Sequence, residues 1–451
     1  MRIWTILLPM ALMVPDGTLR AQTAEDFDPT GYWTGAIVKE GSVLPVEIDI
    51  EATEEGLRAD TRFSDWYFYS PSNFEIVRKT ANGLIIEDFL AGDAVLALEP
   101  RFEQLIGSVG SDGRTLHLKR APRPPEPLIT MTETSFVSAD GTRIAGSLTM
   151  PQFGEQVAGI VIVRGRGCAT RVNGKARFLA RYGIAVLTYD KRGSGSSQGD
   201  CETFTFEQLT DDAMAAHGHL AANSRVDRRR VGFMGESAGA WTIQAATERL
   251  SENESAADPA FLVTWIGPLT SIIQQQISSA ATYGASIGLS AERQAILAEV
   301  SRIIVDPALT DDEAFAKLDA IRISAQREGW LDRGFGADDI PRTRTDMSKL
   351  WLRRFAYDPA PFFDQMGELP YLAVFGGKDP IVPVEENVAV LRGAGSNVEI
   401  VVLEESGHGY NFDERKGTLT DGRDILLFEG PDTGFIRATL EFLEERGFLL
   451  R

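Results

Sequence analysis

The chain has 451 residues, of which 43% are hydrophobic and 24% charged, with a formal net charge of −20. These proportions belong to a globular protein long enough for two folding units. A surface this acidic repels phosphate backbones and anionic lipid, which argues against nucleic acid as a partner.

Arg2 precedes IWTILLPMALMV, an apolar run well short of the roughly 20 residues that a membrane-spanning helix requires. Small Ala21 follows, although Leu19 is a poor match to a small-x-small cleavage site. Residues 1–21 are expected to be a secretory signal peptide, with a buried N-terminal helix as the alternative reading. No cysteine stands directly after the run, so a lipid-anchored form is not indicated, and no other segment approaches a transmembrane span. The mature chain is therefore expected to be secreted or periplasmic, without stable insertion in a membrane.

Residues 22–120 read as an antiparallel β domain, either a barrel or a sandwich. In LPVEIDIEA, Leu44, Val46, Ile48 and Ile50 alternate with polar neighbours, which places them on one face of a half-buried strand. NFEIVRK, GLIIEDFL, AVLALEP and TLHLKR continue the pattern. Asn82-Gly83, Gly92-Asp93 and Asp112-Gly113 supply hairpin turn chemistry between them. His117 stands alone in a strand and is expected to be a surface or packing residue. APRPPEPL, residues 121–128, holds four prolines and predicts a stiff linker.

From residue 129 to 451 the pattern changes to α/β. A hairpin turns at Asp140-Gly141. Apolar strands then alternate with helical stretches: AGIVIV, a helix near 174–182, IAVLTYD, a helix near 206–222, VGFMG, and a helix from Ser237. AFLVTWIG, YLAVFGG and VEIVVLE continue the series. Short continuous apolar strands between helices predict a mostly parallel sheet covered on both faces. Residues 268–365 hold helical patterns and no convincing strand, which predicts a helical cap inserted above the sheet.

Ser237 sits in Gly235-Glu236-Ser237-Ala238-Gly239, between a predicted strand and a predicted helix. A nucleophile on so tight a strand-to-helix elbow needs small flanking residues, and G-x-S-x-G in this setting is a strong signal. The N–H of Ala238, at the helix N-terminus, would face a developing oxyanion. A serine needs a base, and the chain has four histidines. His117 falls in the other domain, and His217 and His219 fall on the helix before the nucleophile strand. His408, in a Gly-flanked loop after the last strand, is the base by elimination and position; the alternative is an ordinary surface histidine. Asp379, on the Gly-Gly turn after strand 371–375, is the expected carboxylate that orients the imidazole. Glu404 and Glu405 are rivals, but they lie too close to His408 in sequence to orient it.

VIVRGRG, YDKRGSGSSQG, VDRRRVGFMGESAG, GGKDPIVP and SGHGY together resemble the α/β-hydrolase superfamily. The likeness is to bacterial serine esterases of the prolyl-oligopeptidase-like and dienelactone hydrolase-like groups, and it spans residues 130–451. The resemblance implies an α/β-hydrolase fold and the triad order Ser237, Asp379, His408. Where it usually shows His-Gly-Ser-Gly, this chain has Arg164-Gly165-Arg166-Gly167, so the backbone N–H of Arg166 is implied as the second oxyanion donor. The Arg166 guanidinium either binds an anionic substrate group or pairs with a protein carboxylate, the more ordinary use. The implied strand order brings Cys168 and Cys201 to one sheet edge. A disulfide between them is expected in an exported protein, with two buried thiols as the alternative.

These readings together predict a serine carboxylesterase that acts on a small-molecule ester and needs no cofactor or metal. A serine peptidase with the same triad, acting on aminoacyl-peptide bonds, is the second reading. A non-catalytic binding protein on a hydrolase fold is the third, and an intact Ser/Asp/His set argues against it.

Overall fold

The computed structural model describes residues 27–63, 75–89, 92–99, 103–125, 128–330, 340–391, 397–409 and 430–450, together with the backbone of short strands between 411 and 427. The expected leader, 1–21, lies outside the described residues. No described helix is long and apolar enough to cross a membrane. The chain divides into two compact units, with the boundary between Arg123 and Pro124 inside the proline-rich stretch.

The first unit is a closed antiparallel barrel of eight strands in sequential order. They are β1 (Gly31–Lys39), β2 (Ser42–Thr53), β3 (Gly56–Phe63), β4 (Glu75–Thr80), β5 (Gly83–Ile86), β6 (Ala94–Glu99), β7 (Gln104–Val109) and β8 (Arg114–Arg120). β1 pairs with both β2 and β8, which removes any free sheet edge. Leu44, Val46, Ile48 and Ile50 all point into the barrel core with Trp33 and Ile37. Closure, rather than a sandwich, is what buries one face of every strand. The β7–β8 turn runs through Gly113, at a φ of +86° that favours glycine. His117 is exposed on β8, beside the Thr115 hydroxyl.

The second unit is an eight-stranded, mostly parallel sheet flanked by helices. β9 (Ile129–Val137) and β10 (Arg143–Pro151) form the opening hairpin. β11 (Val157–Val163), β12 (Ile184–Tyr189), β13 (Val226–Glu236), β14 (Leu262–Trp265), β15 (Tyr371–Gly376) and β16 (Val398–Leu403) follow. The strand order is β16-β15-β14-β13-β11-β12-β10-β9. The interleaved helices are α1 (Gly174–Ala180), α2 (Phe206–Ala221) and α3 (Gly239–Ser251).

Period-two side chains on a sheet covered twice must be apolar on both faces, and β11 and β15 meet this requirement. Val161 and Val163 pack with Ala213, Ala216 and Ile243 of α2 and α3 on one face. Ile160 and Ile162 pack with Ala176 and Leu179 of α1 on the other. Tyr371, Ala373 and Phe375 join the first core, while Leu372 and Val374 join the second.

Between β14 and β15 lies the helical insertion: α4 (Ile272–Ser286), α5 (Ala291–Val305), α6 (Asp311–Arg327), a 3-10 turn at Arg344–Lys349, α7 (Trp351–Arg354) and α8 (Ala360–Gln365). It contains no strand among the described residues. Side-chain caps start its three long helices, from Ser271, Ser290 and Thr310. Its own apolar core includes Leu297, Ile304, Leu318 and Leu352 and continues onto Phe204, Phe206 and Trp241 beneath it. α9 (Val384–Leu391) and α10 (Gly434–Glu445) complete the fold, with Phe435 and Phe442 of α10 buried on the α1 side of the sheet. Asn411–Phe412 pairs with Gly430–Pro431, and Arg415–Thr418 with Asp424–Leu427.

Candidate active site

Ser237 stands between β13 and α3 with a φ of +49°, in the left-handed region where non-glycine residues are strained. The flanking glycines explain how the chain tolerates that bend. A Cβ on Gly239 would lie 2.4 Å from the Val163 carbonyl oxygen, and one on Gly235 would lie 2.8 Å from the Gly239 carbonyl. Neither position accepts a larger residue without moving backbone. The Ser237 N–H donates to the Trp265 carbonyl (3.0 Å), and its own carbonyl accepts from Ala240 (2.9 Å), so the elbow is pinned from both sides. Ala238 is the cap residue of α3, which places its N–H at the positive end of a 13-residue helix.

The three residues singled out for a relay come together from distant parts of the chain. His408 Nε2 lies 3.0 Å from Ser237 Oγ, and His408 Nδ1 lies 2.8 Å from Asp379 Oδ2. The Asp379 side chain is 1% exposed, whereas that of His408 is 23% exposed. The other carboxylate oxygen of Asp379 accepts from the N–H groups of Ile381 (2.8 Å) and Val382 (3.0 Å). This Asx-type turn locks the carboxylate plane. Gly376 and Gly377 let the turn lie against the His408 loop: a Cβ on either would fall within 2.6 Å of the backbone of Ser406 or Glu404. The N–H of Lys378 donates to the Ser406 carbonyl (2.9 Å), fastening the Asp379 and His408 loops together. The remaining histidines stand elsewhere. His217 is buried on α2 against Val231, and His219 bonds to Thr134.

The loop after β11 runs beside Ser237. A Cβ on Gly165 would lie 3.1 Å from Ser237 Cβ, so only glycine fits there without displacement. Arg164 pairs with Glu236 (3.4 Å), the buried residue just before Ser237, and Lys175 of α1 pairs with its other oxygen (2.8 Å). The Arg166 guanidinium lies 5.0 Å over the Trp351 ring of the helical insertion.

Cys168 and Cys201 form a disulfide that ties this loop to the segment after β12. The same two segments meet through the Lys191 N–H, which donates to the Ala169 carbonyl (3.0 Å), and the Ala169 N–H, which donates to Ser194 Oγ (3.1 Å). Lys191 itself is 4% exposed and reaches the Gly165 carbonyl with its Nζ (2.8 Å). Burial, aided by the Arg164 charge, pulls its ammonium down to about 7, with Asp212 pulling the other way. Its neighbour Arg192 forms a two-pronged ion pair with buried Asp212 (2.7 and 2.8 Å) and reaches Asp140 (2.8 Å).

Sequence reasoning missed Lys191, Glu236 and Lys175. For Glu236 and Lys191 the one signal was charge at the buried end of an apolar strand; Lys175, on α1, carried none. Among the described residues, no group of three or more His, Cys, Asp or Glu is arranged to hold a metal ion.

Residues 160–419 match the family model described as Alpha/beta hydrolase family. Among solved structures, the chain is similar to the alpha/beta hydrolase GrgF from a Penicillium species, at 16% identity over 70% of this chain and 98% of that one, with a TM-score of 0.42. It is also similar to an acetyl xylan esterase from a Paenibacillus species, at 14% identity over 72% and 86% of the two chains and a TM-score of 0.43. A third likeness is to Est1E from Butyrivibrio proteoclasticus with ferulic acid bound, at 18% identity over 61% and 91% and a TM-score of 0.39. No curated protein matches the chain significantly.

Proposed function

The chain belongs to the alpha/beta hydrolase family, and from that premise we propose that it is a serine carboxylesterase working through an acyl-enzyme. The observation that carries this reading is the relay from Ser237 Oγ through His408 to Asp379, at 3.0 and 2.8 Å. Those distances suit proton transfer without rearrangement. In the proposed reaction Ser237 Oγ attacks the ester carbonyl as His408 Nε2 takes its proton. Asp379 holds the ring with Nδ1 protonated and stabilises the imidazolium. The carbonyl oxygen, now negative, is received by the N–H groups of Ala238 and Arg166. His408 then protonates the alkoxide as the carbon–oxygen bond breaks, and the alcohol leaves. Water, giving its proton to the same nitrogen, attacks the acyl-enzyme, and His408 returns that proton to Ser237 Oγ as the acyl–oxygen bond breaks and the acid leaves.

No step draws on a cofactor. The disulfide fits export to an oxidising compartment, as does the expected leader. N-terminal sequencing of exported protein tests this, with cleavage near Ala21 expected. The substrate class is tested with p-nitrophenyl esters from acetate to dodecanoate, with Ser237→Ala as control. Ester turnover lost in the variant supports the reading, and the best chain length sizes the acyl site. Faster turnover of aminoacyl nitroanilides than of any ester would move the substrate to a peptide bond.

A further inference from the structure

Lys191 has a use of its long side chain that the fold alone does not require. Burying an ammonium is costly unless its interactions compensate. An exposed lysine would link the same two loops at lower cost, and the disulfide with the backbone bonds of Lys191 and Ala169 already links them. The Lys191 ammonium instead passes beside the Phe204 ring, 4.9 Å from its centre, and ends on one carbonyl, that of Gly165 (2.8 Å).

That carbonyl belongs to a particular peptide group. The Gly165 C=O and the Arg166 N–H are two ends of one planar unit, and no cis peptide bond occurs among the described residues. In a trans peptide the two groups point in opposite directions, so a donor gripping the oxygen fixes the heading of the N–H. Gly165 lies against the nucleophile, where a Cβ would come 3.1 Å from Ser237 Cβ. Glycine on the near side of the bond leaves the peptide unusually free to rotate. A rotated peptide would turn its carbonyl dipole, rather than its N–H, towards the carbonyl oxygen of a bound ester.

We propose that Lys191 is a positioning residue for the oxyanion site: its ammonium holds the Gly165 carbonyl and so aims and polarises the Arg166 N–H. This rests on the serine-hydrolase reading above. A cation on the carbonyl draws electron density through the amide and strengthens the N–H as a donor. The effect matters most when the substrate oxygen becomes negative, so Lys191 acts on the transition state more than on the bound ester. A role confined to loop stability would touch binding and turnover without that preference.

The test compares Lys191→Met, which removes donor and charge, with Lys191→Arg, which keeps both. Hydrolysis of p-nitrophenyl acetate and inhibition by a trifluoromethyl ketone are measured on each, after circular dichroism shows a native spectrum. Lys191→Met is expected to lower kcat about 10- to 100-fold, somewhat less than outright loss of an oxyanion donor, with KM within about threefold. Its affinity for the ketone, which becomes a tetrahedral oxyanion on Ser237, should fall by a similar factor. Lys191→Arg should recover part of both. If Lys191→Met does not fold, Lys191→Gln takes its place and is expected to fall in the same direction. A folded Lys191→Met or Lys191→Gln with kcat within twofold of the parent overturns the proposal, as does a rise in KM at constant kcat or an unaltered ketone affinity. If the parent hydrolyses esters no faster than Ser237→Ala, the serine-hydrolase reading falls first and the proposal with it.

Discussion

Changing Asp379 to Asn probes the relay at its most buried member. One oxygen of the carboxylate accepts from two backbone N–H groups, of Ile381 and Val382, and the other accepts from His408 Nδ1. An asparagine amide has one acceptor oxygen and one donor NH2 group. Placed with its oxygen towards the two N–H groups, it turns its NH2 against His408 Nδ1. The ring must then accept at Nδ1 and carry its proton on Nε2, 3.0 Å from the Ser237 hydroxyl that the proposed reaction has it deprotonate. Turned the other way, the amide sets its NH2 against two backbone donors, the buried Val382 N–H and the partly buried Ile381 N–H, at about 1–3 kcal/mol for the buried one. The first orientation wins, and the imidazole is held in the wrong tautomer. Loss of a correctly oriented base of this kind lowers kcat by roughly a thousand- to ten-thousand-fold, equivalent to about 4–5.5 kcal/mol on the barrier. KM should change little, because Asp379 is buried behind the ring. Steady-state hydrolysis of p-nitrophenyl acetate by Asp379→Asn reads this directly. A folded variant within tenfold of the parent would refute the tautomer argument.

Three further expectations concern stability. Arg192→Met leaves Asp212, which is fully buried, without its cationic partner, and should cost about 3 kcal/mol in urea unfolding; a loss below 1 kcal/mol would mean the pair is not desolvated as described. His217 is held down to about 4 by burial beside Val231, against a usual value of 6.5. The folded state therefore favours its neutral ring, and this stabilisation is complete above pH 6.5 and lost as pH falls through 4. Between pH 7 and 4 the parent should lose about 3 kcal/mol more than His217→Gln, and parallel stability curves would contradict the assignment. Replacing both Cys168 and Cys201 with Ser opens a crosslink spanning 33 residues in sequence. It should lower stability by roughly 2–4 kcal/mol, and an unchanged melting temperature under oxidising conditions would count against the bond.

Much of the scaffold could be read from side-chain period. Alternation in β2 marked the barrel interior, and unbroken apolar runs such as β11 and β15 marked a sheet buried on both faces. Alternation says which face is inside but not whether the sheet closes, and only the β1–β8 pairing distinguishes a barrel from a sandwich. The elbow was legible because Gly235 and Gly239 have no tolerable substitute at such close backbone approach. His408 was legible because so few histidines compete. The small strand pairs between 411 and 431 were not, since DERKGTLTDGRD carries charge and turn residues without apolar alternation. Nor was the network around Glu236, Arg164, Lys175 and Lys191 visible. Ion pairs and hydrogen bonds between residues tens of positions apart depend on loop paths, and no periodicity records those paths.

The most direct test of the central claim is to catch the acyl-enzyme. The protein is mixed with p-nitrophenyl acetate, quenched in acid within the first turnover, and mapped by peptide mass. The account predicts a burst of p-nitrophenol and an acetyl group on the peptide carrying Ser237, both absent in Ser237→Ala. Acetylation elsewhere, with Ser237→Ala retaining full turnover, would contradict it.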